Sequence, residues 1–385
     1  MKFVCILVSC FLVFVSVKEY FMPNIIIQIK KAGLVGRGGG GFPTGLKWEF
    51  VKKAHGSEKY VIANASEGEP GVKKDLFILE NHPERFMDGM RLAIEYLGDR
   101  GRGKKKIDVK GYVYLNPRYS KNKKLVKKLK QTIGSLPVTI FNKPKTAGYA
   151  GGEETSVLNG IEGKRVEPRL RPPFPPTNGL WNSPTLVNNV ETFYDVSLAA
   201  AGEYKGERFY TINGDCLWTG VYRFPSDWTI EKILKKTDNY PGFDFFIQVG
   251  GDGSGVVLNS KQLKRPAVGS GSITVYSAIK HDPMVLIKKW ADFFRSESCG
   301  QCTPCREGTF RLRELLGDKN TNWQMLLELL NNLSETSFCG LGSSAPTAIF
   351  SFLENVVMTP VGERMKLPKA DRKMIADCLT CKLSN

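Results

Sequence analysis

Histidine is almost missing from this chain: His55, His82 and His281 are the only three in 385 residues, and they stand far apart. With no Gly-x-Ser-x-Gly elbow either, acyl-transfer hydrolysis lacks a nucleophile–base pair. No Gly-Lys-Ser or Gly-Lys-Thr follows a glycine run, which excludes a P-loop. Internal repeats, low-complexity tracts and zinc-finger, RNA-recognition or helix-turn-helix signatures are missing too. The longest mostly apolar run, Phe3 to Val17, is short for a membrane span. Lys2 ahead of it suggests a signal-peptide core, but Lys18-Glu19-Tyr20-Phe21 follows where a small-residue cleavage site would stand. The expectation is that Met22 is the true start, or that residues 1–21 are an apolar leader outside the structural unit. A signal or anchor is the alternative.

Acidic residues are scarce relative to basic ones, 38 against 55, which leaves a formal charge of +17. Much of it lies in Lys104-Lys105-Lys106 and in the segment from Lys121 to Lys130. Leu125, Val126 and Leu129 fall at helical spacing beneath those lysines, so a solvated helix face explains the second stretch. Anionic cofactors or an acidic partner protein are a second contributor to the charge, and no nucleic-acid partner is expected. The 42% apolar content is that of an ordinary soluble protein, long enough for two or three cores.

Four of the nine cysteines carry a pattern. Cys299, Cys302 and Cys305 stand in Ser-Cys-Gly-Gln-Cys-Thr-Pro-Cys-Arg-Glu-Gly-Thr, and Cys339 follows in Ser-Phe-Cys-Gly-Leu-Gly. Three thiols at C-x-x-C spacings plus one distant thiol suit the four corners of a [4Fe–4S] cluster. Four thiolates also suit a structural zinc ion, which more often draws on two separated C-x-x-C pairs. An iron–sulfur centre implies a reducing compartment. Cys216 reads as a core residue, and Cys378 with Cys381 as free thiols on a tail.

Along the chain, Ile25 to Gly33 reads as a short helix. The runs Tyr60–Ala63, Ile107–Leu115 and Val138–Phe141 read as strands alternating with the helices Pro83–Leu97 and Leu125–Ile133. That alternation predicts an α/β unit with a mostly parallel sheet. Pro168 to Pro176 is an irregular loop. From about Gly206 to Ile279 short strands dominate, with one helix at Thr229–Lys236, as in a small α+β domain. The remainder is helical. Asp282-Pro283 starts a helix whose face of Met284, Ile287, Trp290, Phe293 and Phe294 delivers the chain to Cys299. A second helix carries Leu326, Leu329, Leu330 and Leu333 toward Cys339, and a third starts near Pro346.

Gly36, Gly38 and Gly41 formally match G-x-G-x-x-G, but they follow a helix rather than a strand, so a dinucleotide fingerprint is not supported. Four consecutive glycines, Gly38 to Gly41, with Arg37 and Lys47 nearby, still expose backbone N–H groups to a phosphate or a flat ring. Two acidic loops stand out, Asn64-Ala-Ser-Glu67-Gly-Glu69-Pro-Gly and Gly151-Gly-Glu153-Glu154-Thr. Their carboxylates read equally well as helix caps and as acceptors for ribose or ribityl hydroxyls. A two-electron donor feeding a one-electron cluster needs a flavin between them.

The runs Gly-Arg-Gly-Gly-Gly-Gly-Phe-Pro-Thr-Gly-Leu-Lys-Trp, Glu-Gly-Glu-Pro-Gly, Gly-Glu-Glu-Thr, Pro-Pro-Phe-Pro, Val-Asn-Asn-Val-Glu-Thr and the cysteine segment together resemble one family. It is the NADH-binding, flavin-carrying (NuoF-type) subunit of respiratory complex I, with the flavin subunits of soluble hydrogenases and formate dehydrogenases. The match runs from about Met22 to Leu353. The resemblance implies a Rossmann-like FMN/NADH domain over 22–203, a β-grasp domain over 204–280 and a helical [4Fe–4S] domain over 281–385. It implies that FMN lies on Gly36, Arg37, Gly38, Gly39, Lys47, Asn64, Ser66, Glu67, Tyr149, Gly152, Glu153, Asn188 and Asn189. NADH (or NADPH) would stack against Phe42, Phe50 and Phe174, with Glu69, Glu154 and Arg171 around its polar groups. Cys299, Cys302, Cys305 and Cys339 would hold the cluster. No residue is expected to act as an acid or base. A thioredoxin-like iron–sulfur subunit and further electron-transfer subunits are the implied partners. The implied location is cytoplasmic, at most peripheral to the inner face of the membrane. This chain departs from the family at Ser66, where an Asp is usual, at Gly151, where a Cys is usual, and at Arg171, where a Lys is usual.

Overall fold

Residues 4–8, 11–15, 25–99, 101, 106–318, 320–359, 365, 367 and 372–381 are described by the structure, a computed structural model. Most of the leader, Lys104 and Lys105, and the side chains of Cys378 and Cys381 lie outside the described residues. Strands β1 (Val4–Val8) and β2 (Phe11–Val15) pair antiparallel as a separate two-stranded sheet.

Four strands build the first large sheet: β3 (Glu58–Ala65), β4 (Asp108–Leu115), β5 (Val138–Asn142) and β6 (Thr185–Asn189). All pair in parallel, in the order β5-β4-β3-β6. The crossovers are helical, through Lys74–Asn81 and Pro83–Gly98, then Lys123–Ile133, then Glu154–Ile161. Because successive strand residues point to opposite faces, Val61, Ala63 and Val113 enter one apolar layer while Tyr60, Ile62 and Tyr114 enter another. The chain runs outward from β3 to β5 and then returns to the far side of β3 with β6. Ligands of open parallel sheets sit outside the carboxyl ends of the strands at such a reversal, here between Ala65 and Asn189.

The predicted strands and helices of this region form, with ends shifted by one or two residues. Not predicted were the helices Thr44–Lys53, Lys74–Asn81 and Glu154–Ile161, nor the consecutive β6 and helix Val190–Ala200. Helices Glu154–Ile161 and Val190–Ala200 are buried nearly all round, and Thr44–Lys53 exposes Leu46 and Phe50 on its outer face; both blur the periodic signal.

The second sheet is mixed. Strands β7 (Glu207–Gly214), β8 (Gly220–Pro225), β9 (Phe245–Val249), β10 (Val256–Asn259) and β11 (Ser272–Ser277) take the order β10-β9-β11-β7-β8. Only the central β11–β7 pair is parallel. Helix Ile230–Lys236 lays Ile230, Ile233 and Leu234 on this sheet, and Cys216 packs at the edge of the same core. The C-terminal helices are Pro283–Glu297, Thr303–Gly317, Trp323–Thr336, Gly340–Phe352 and Arg372–Cys381. Asp282 caps the first through the Val285 N–H, with Pro283 in the opening turn, as expected. The helix expected to start near Pro346 instead starts at Gly340 and carries the proline inside. Its opening is set by the loop at Cys339, so the proline signal was read as a start when it is an interior residue.

Helices Pro83–Gly98 and Val190–Ala200 touch at Gly89, where a Cβ would fall inside the contact distance of the Phe193 carbonyl oxygen. An alanine there gains about 1 kcal/mol in helix propensity, but overpacking against rigid backbone costs about 1–3 kcal/mol or more. Gly89→Ala should therefore lower the thermal midpoint by several degrees; an unchanged or raised midpoint would contradict this packing.

Candidate functional site

The glycine loop closes on itself through the Gly36 N–H, which donates to the Phe42 carbonyl at 2.9 Å. Gly39 and Gly41 have φ of +108° and +60°, which few other residues adopt without strain. Gly38 sits over β6, where a Cβ would stand 3.5 Å from that of Asn189. Arg37 points the other way. Its guanidinium, buried inside the protein, pairs with Asp195 at 3.1 Å and donates to the Tyr204 hydroxyl at 2.8 Å. The Arg37 N–H donates to Thr192 at 3.0 Å. Of the expected cofactor-binding residues, Arg37 thus has its guanidinium turned into the protein, where it anchors the loop.

Several of the candidate residues meet at the carboxyl ends of β3 and β6. Asn64 donates from Nδ2 to the Gly152 carbonyl at 2.8 Å and accepts from the Ser66 hydroxyl at 2.7 Å. A Cβ on Gly152 would lie 2.7 Å from Ser66 Oγ, so these two loops approach as closely as glycine allows. Asn188 accepts from the Trp48 indole at 3.2 Å, and Lys47, one residue earlier in the same helix, pairs with Glu154. Glu153 is the N-cap of helix Glu154–Ile161, accepting the Thr155 and Ser156 N–H groups at 2.9 Å each. Arg171 stands 3.7 Å from its other oxygen. The choice between cap and ligand acceptor thus resolves, for Glu153 Oε2, as a cap.

Glu67 and Glu69 are also engaged. Glu67, at φ +20°, accepts the Asp75 and Leu76 N–H groups at 2.7 and 3.0 Å and the Tyr119 hydroxyl, closing the N-terminus of helix Lys74–Asn81. Burial, with the Asp75 charge beside it, pushes its carboxyl up to about 7. Glu69 turns to the second sheet, accepting from the Gly253 and Ser254 N–H groups and the Ser254 hydroxyl, each at 2.9 Å. Burial raises its pKa. Phe42, Phe50 and Phe174 remain 48%, 51% and 53% exposed, large apolar surfaces at the mouth of the same region.

Sequence reasoning missed what lies beneath. Lys74, buried to 2% exposure, donates to Asp75 at 2.7 Å and Asn189 at 2.9 Å and pairs with Glu191 at 3.1 Å. Burial alone would depress this ammonium, yet the charges of Asp75 and Glu191 hold its pKa above the usual lysine range. Asn189 completes the ring by donating to Asp75 at 2.7 Å. The one signal available was an Asp and two lysines opening an otherwise apolar run, Lys73-Lys74-Asp75-Leu-Phe-Ile-Leu.

The cysteines belong to the helical core against which Tyr149 packs. Cys302 and Cys339 are the N-caps of helices Thr303–Gly317 and Gly340–Phe352, whose positive ends favour thiolates. Burial pushes the Cys305 thiol up to about 11, while Ser298 and the other three thiols lie close enough to act on it. Burial also raises Cys339, opposed by the N–H groups of Leu341 and Gly342. Among the described residues no three His, Cys, Asp or Glu side chains converge around a single ion; a cluster of four irons spreads its thiolates wider than one ion does.

These features fit both implied groups. The switch point offers bare glycine backbone at Gly38 and Gly152, amides at Asn64 and Asn188, and a buried Thr44 hydroxyl without a partner beside the loop, a setting for a flat ring and a phosphate. Four thiols around two helix N-termini are the donor set of an iron–sulfur cluster.

The comparisons with known proteins agree. Residues 29–198 match the family described as the Nuo51 FMN-binding domain, and residues 285–357 the NADH-ubiquinone oxidoreductase-F iron-sulfur binding region. The chain is 31% identical to the F-type NADH-quinone oxidoreductase subunit of Streptomyces coelicolor, over 86% of this chain and 81% of that protein. It is 33% identical to the protein of the same name in Aquifex aeolicus, covering 86% and 84%. A crystal structure of an NAD+-reducing [NiFe]-hydrogenase in the air-oxidized state superposes with a TM-score of 0.78 at 30% identity. It covers 92% of this chain, which spans 65% of the hydrogenase chain.

With folded Glu67 protonated up to about 7 and the unfolded group ionising near 4.5, its contribution is present below pH 4.5 and is lost as pH rises through about 7. Asp195, also raised to about 7 by burial and by Glu191, adds a slope of the same sign. The urea midpoint of the cofactor-free chain should fall between pH 5 and 7, and Glu67→Gln should flatten part of that fall. An equal slope in the variant would contradict the assignment.

Proposed function

Because the chain belongs to the family of F-type NADH-quinone oxidoreductase subunits, we propose that it oxidises NADH on a bound FMN and delivers electrons singly, through a [4Fe–4S] cluster, to a partner protein. The observation that carries this is the convergence of the glycine loop, Asn64, Ser66, Gly152 and Asn188 at the sheet's reversal. Tyr149 packs against Gly68 of the acidic loop on one hand and contacts Glu297 and Phe293, on the helix that leads into the cysteines, on the other. FMN supplies the change from two-electron to one-electron chemistry, and the cluster supplies the outlet.

The chain's own part is binding, orientation and exclusion of water. Gly36, Gly38 and Gly39 would let backbone approach the flavin, with Lys47, paired with Glu154, as the cation on the adjoining helix. Asn64, Ser66, Gly152, Asn188 and Asn189 would hold the flavin, while Glu67, Glu153 and Arg37 act from behind by fixing the segments that carry them. Phe42, Phe50 and Phe174 would stack against the nicotinamide nucleotide and Glu154 and Arg171 would meet its polar groups, while Glu69, bonded to Gly253 and Ser254, would support that side of the site from behind. Ser66 keeps a hydrogen bond to Asn64 where a carboxylate is usual in the family, which supports a flavin site with one negative charge fewer. No side chain needs to move a proton, because hydride transfer depends on alignment.

On this reading residues 22–203 are a Rossmann-like flavin domain, 204–280 a β-grasp domain and 281–385 the cluster domain. The mixed sheet with its central parallel pair and single covering helix supports the β-grasp assignment. A thioredoxin-like iron–sulfur subunit in a larger cytoplasmic complex would take the electrons. Among the described residues no helix is long and apolar enough to cross a membrane. A second reading keeps the chemistry and changes the complex to a soluble NAD(P)-linked hydrogenase or formate dehydrogenase, which the hydrogenase likeness over 92% of the chain favours.

Anaerobically purified protein should contain FMN and iron and catalyse NADH-dependent ferricyanide reduction. Iron without FMN, and no turnover with either nucleotide, would contradict the proposal. Removing one stacking ring, at about 0.5–1.5 kcal/mol, predicts that Phe174→Ala raises KM for NADH by up to about 10-fold at unchanged FMN content; an unchanged KM would remove Phe174 from the nucleotide site.

A further inference from the structure

Two segments that the proposed reaction needs at a fixed separation, the flavin-site loop at Tyr149 and the cysteine loop at Cys299, are joined by side chains that neither site requires as ligands. Arg165 follows helix Glu154–Ile161, on the flavin side. Its Nη2 donates to the Cys299 carbonyl at 3.0 Å while its Nε pairs with Glu167 at 3.0 Å. A planar fork can serve two acceptors at once; an ammonium cannot do so in the same geometry. Glu297 ends the helix that leads into the cysteines, and its carboxylate accepts the Tyr149 N–H. A Cβ on Gly148, at φ +51°, would stand 2.5 Å from that carboxylate, so the approach requires glycine there. The Phe293 ring lies 5.4 Å from the Tyr149 ring in the same junction.

The cysteine loop is held from its own side too. Arg306 donates from Nη1 to the Gly300 carbonyl at 2.9 Å. Gly300 has φ +76°, the bend that separates Cys299 from Cys302. A Cβ there would lie 3.7 Å from Arg165 Nη2 and 3.9 Å from Arg306 Cδ. Two consecutive carbonyls of the ligand loop are thus gripped by arginines from different parts of the chain, one of them on the flavin side.

We infer that Arg165 and Glu297 are positioning residues that latch the cysteine loop to the flavin-site loop, fixing Cys299 as a ligand and the flavin-to-cluster separation. This rests on the proposed function, in which Cys299 binds a cluster. The two contacts run in opposite directions, a flavin-side side chain to cluster-side backbone and the reverse, so loosening either lets the two loops shift against each other. Arg165 is largely exposed, and exposed contacts add little to global stability; the effect is local.

The test uses the full chain, wild type, Arg165→Met, Arg165→Lys and Glu297→Ala. It measures hydrogen exchange of the 298–302 amides, iron loss to a chelator and the thermal midpoint. One lost charge-assisted hydrogen bond, about 1–2 kcal/mol, predicts exchange and iron loss faster by about 5-fold or more in Arg165→Met. Arg165→Lys should not rescue it, and Glu297→Ala should follow the same direction. The thermal midpoint of Arg165→Met should stay near wild type. Unchanged exchange and iron loss in both disrupting variants overturns the latch. A wild type without iron contradicts the proposed function instead, and exchange on the metal-free chain still decides the latch.

Discussion

The buried ammonium of Lys74 is the constraint on which the rest depends. It binds together the first turn of one helix through Asp75, the end of β6 through Asn189 and the first turn of the next helix through Glu191. Glu191 in turn accepts the Phe209 N–H of β7 at 2.8 Å, so the same cluster reaches the second sheet. Buried ion pairs of this kind contribute little net stability compared with apolar packing, but breaking one leaves an uncompensated charge at about 3–5 kcal/mol. What the cluster confers is geometry: the carboxyl end of β6 can hold only one position relative to the glycine loop above it. The Arg37–Asp195 pair does the same for the loop itself.

From that base the functional arrangement follows with few further requirements. A parallel sheet that reverses its strand order leaves a crevice, and glycines at Gly38 and Gly152 keep it open to within van der Waals distance of backbone. The acidic residues nearest to it are largely occupied in shaping it. Glu67 and Glu153 close helix termini, and Glu69 ties the crevice to the second sheet. The chemistry of the site is therefore carried by backbone and amides, with charge held in the layer behind.

How much of this was legible in the sequence depended on whether a signal was local. Cysteine spacing, the glycine run and the Asp282-Pro283 helix start are local, and they led to the right elements. Strands β3, β4 and β5 were visible because each is a compact apolar run between polar turns. Helix Val190–Ala200 was hidden, since burial on all sides erases its amphipathic pattern. The partners of Arg37, Glu69 and Lys74 were out of reach for another reason. Asp195, Ser254 and Glu191 lie more than a hundred residues away in the chain, and nothing short of the fold brings them near. Pro346 shows the reverse error, a strong local signal overruled by the loop at Cys339 that opens the helix earlier.

The central proposal is that one chain joins an NADH-reducible flavin to a cluster, with Cys299, Cys302, Cys305 and Cys339 as its ligands. The most direct measurement is an anaerobic NADH titration of the purified protein followed simultaneously by optical absorption and low-temperature EPR. The expected result is that flavin absorbance bleaches and that the spectrum of a reduced [4Fe–4S] cluster grows in the same sample, with Cys339→Ser retaining the bleaching and losing the EPR signal. Iron present with no flavin bleaching, or a signal unaffected by Cys339→Ser, would contradict it.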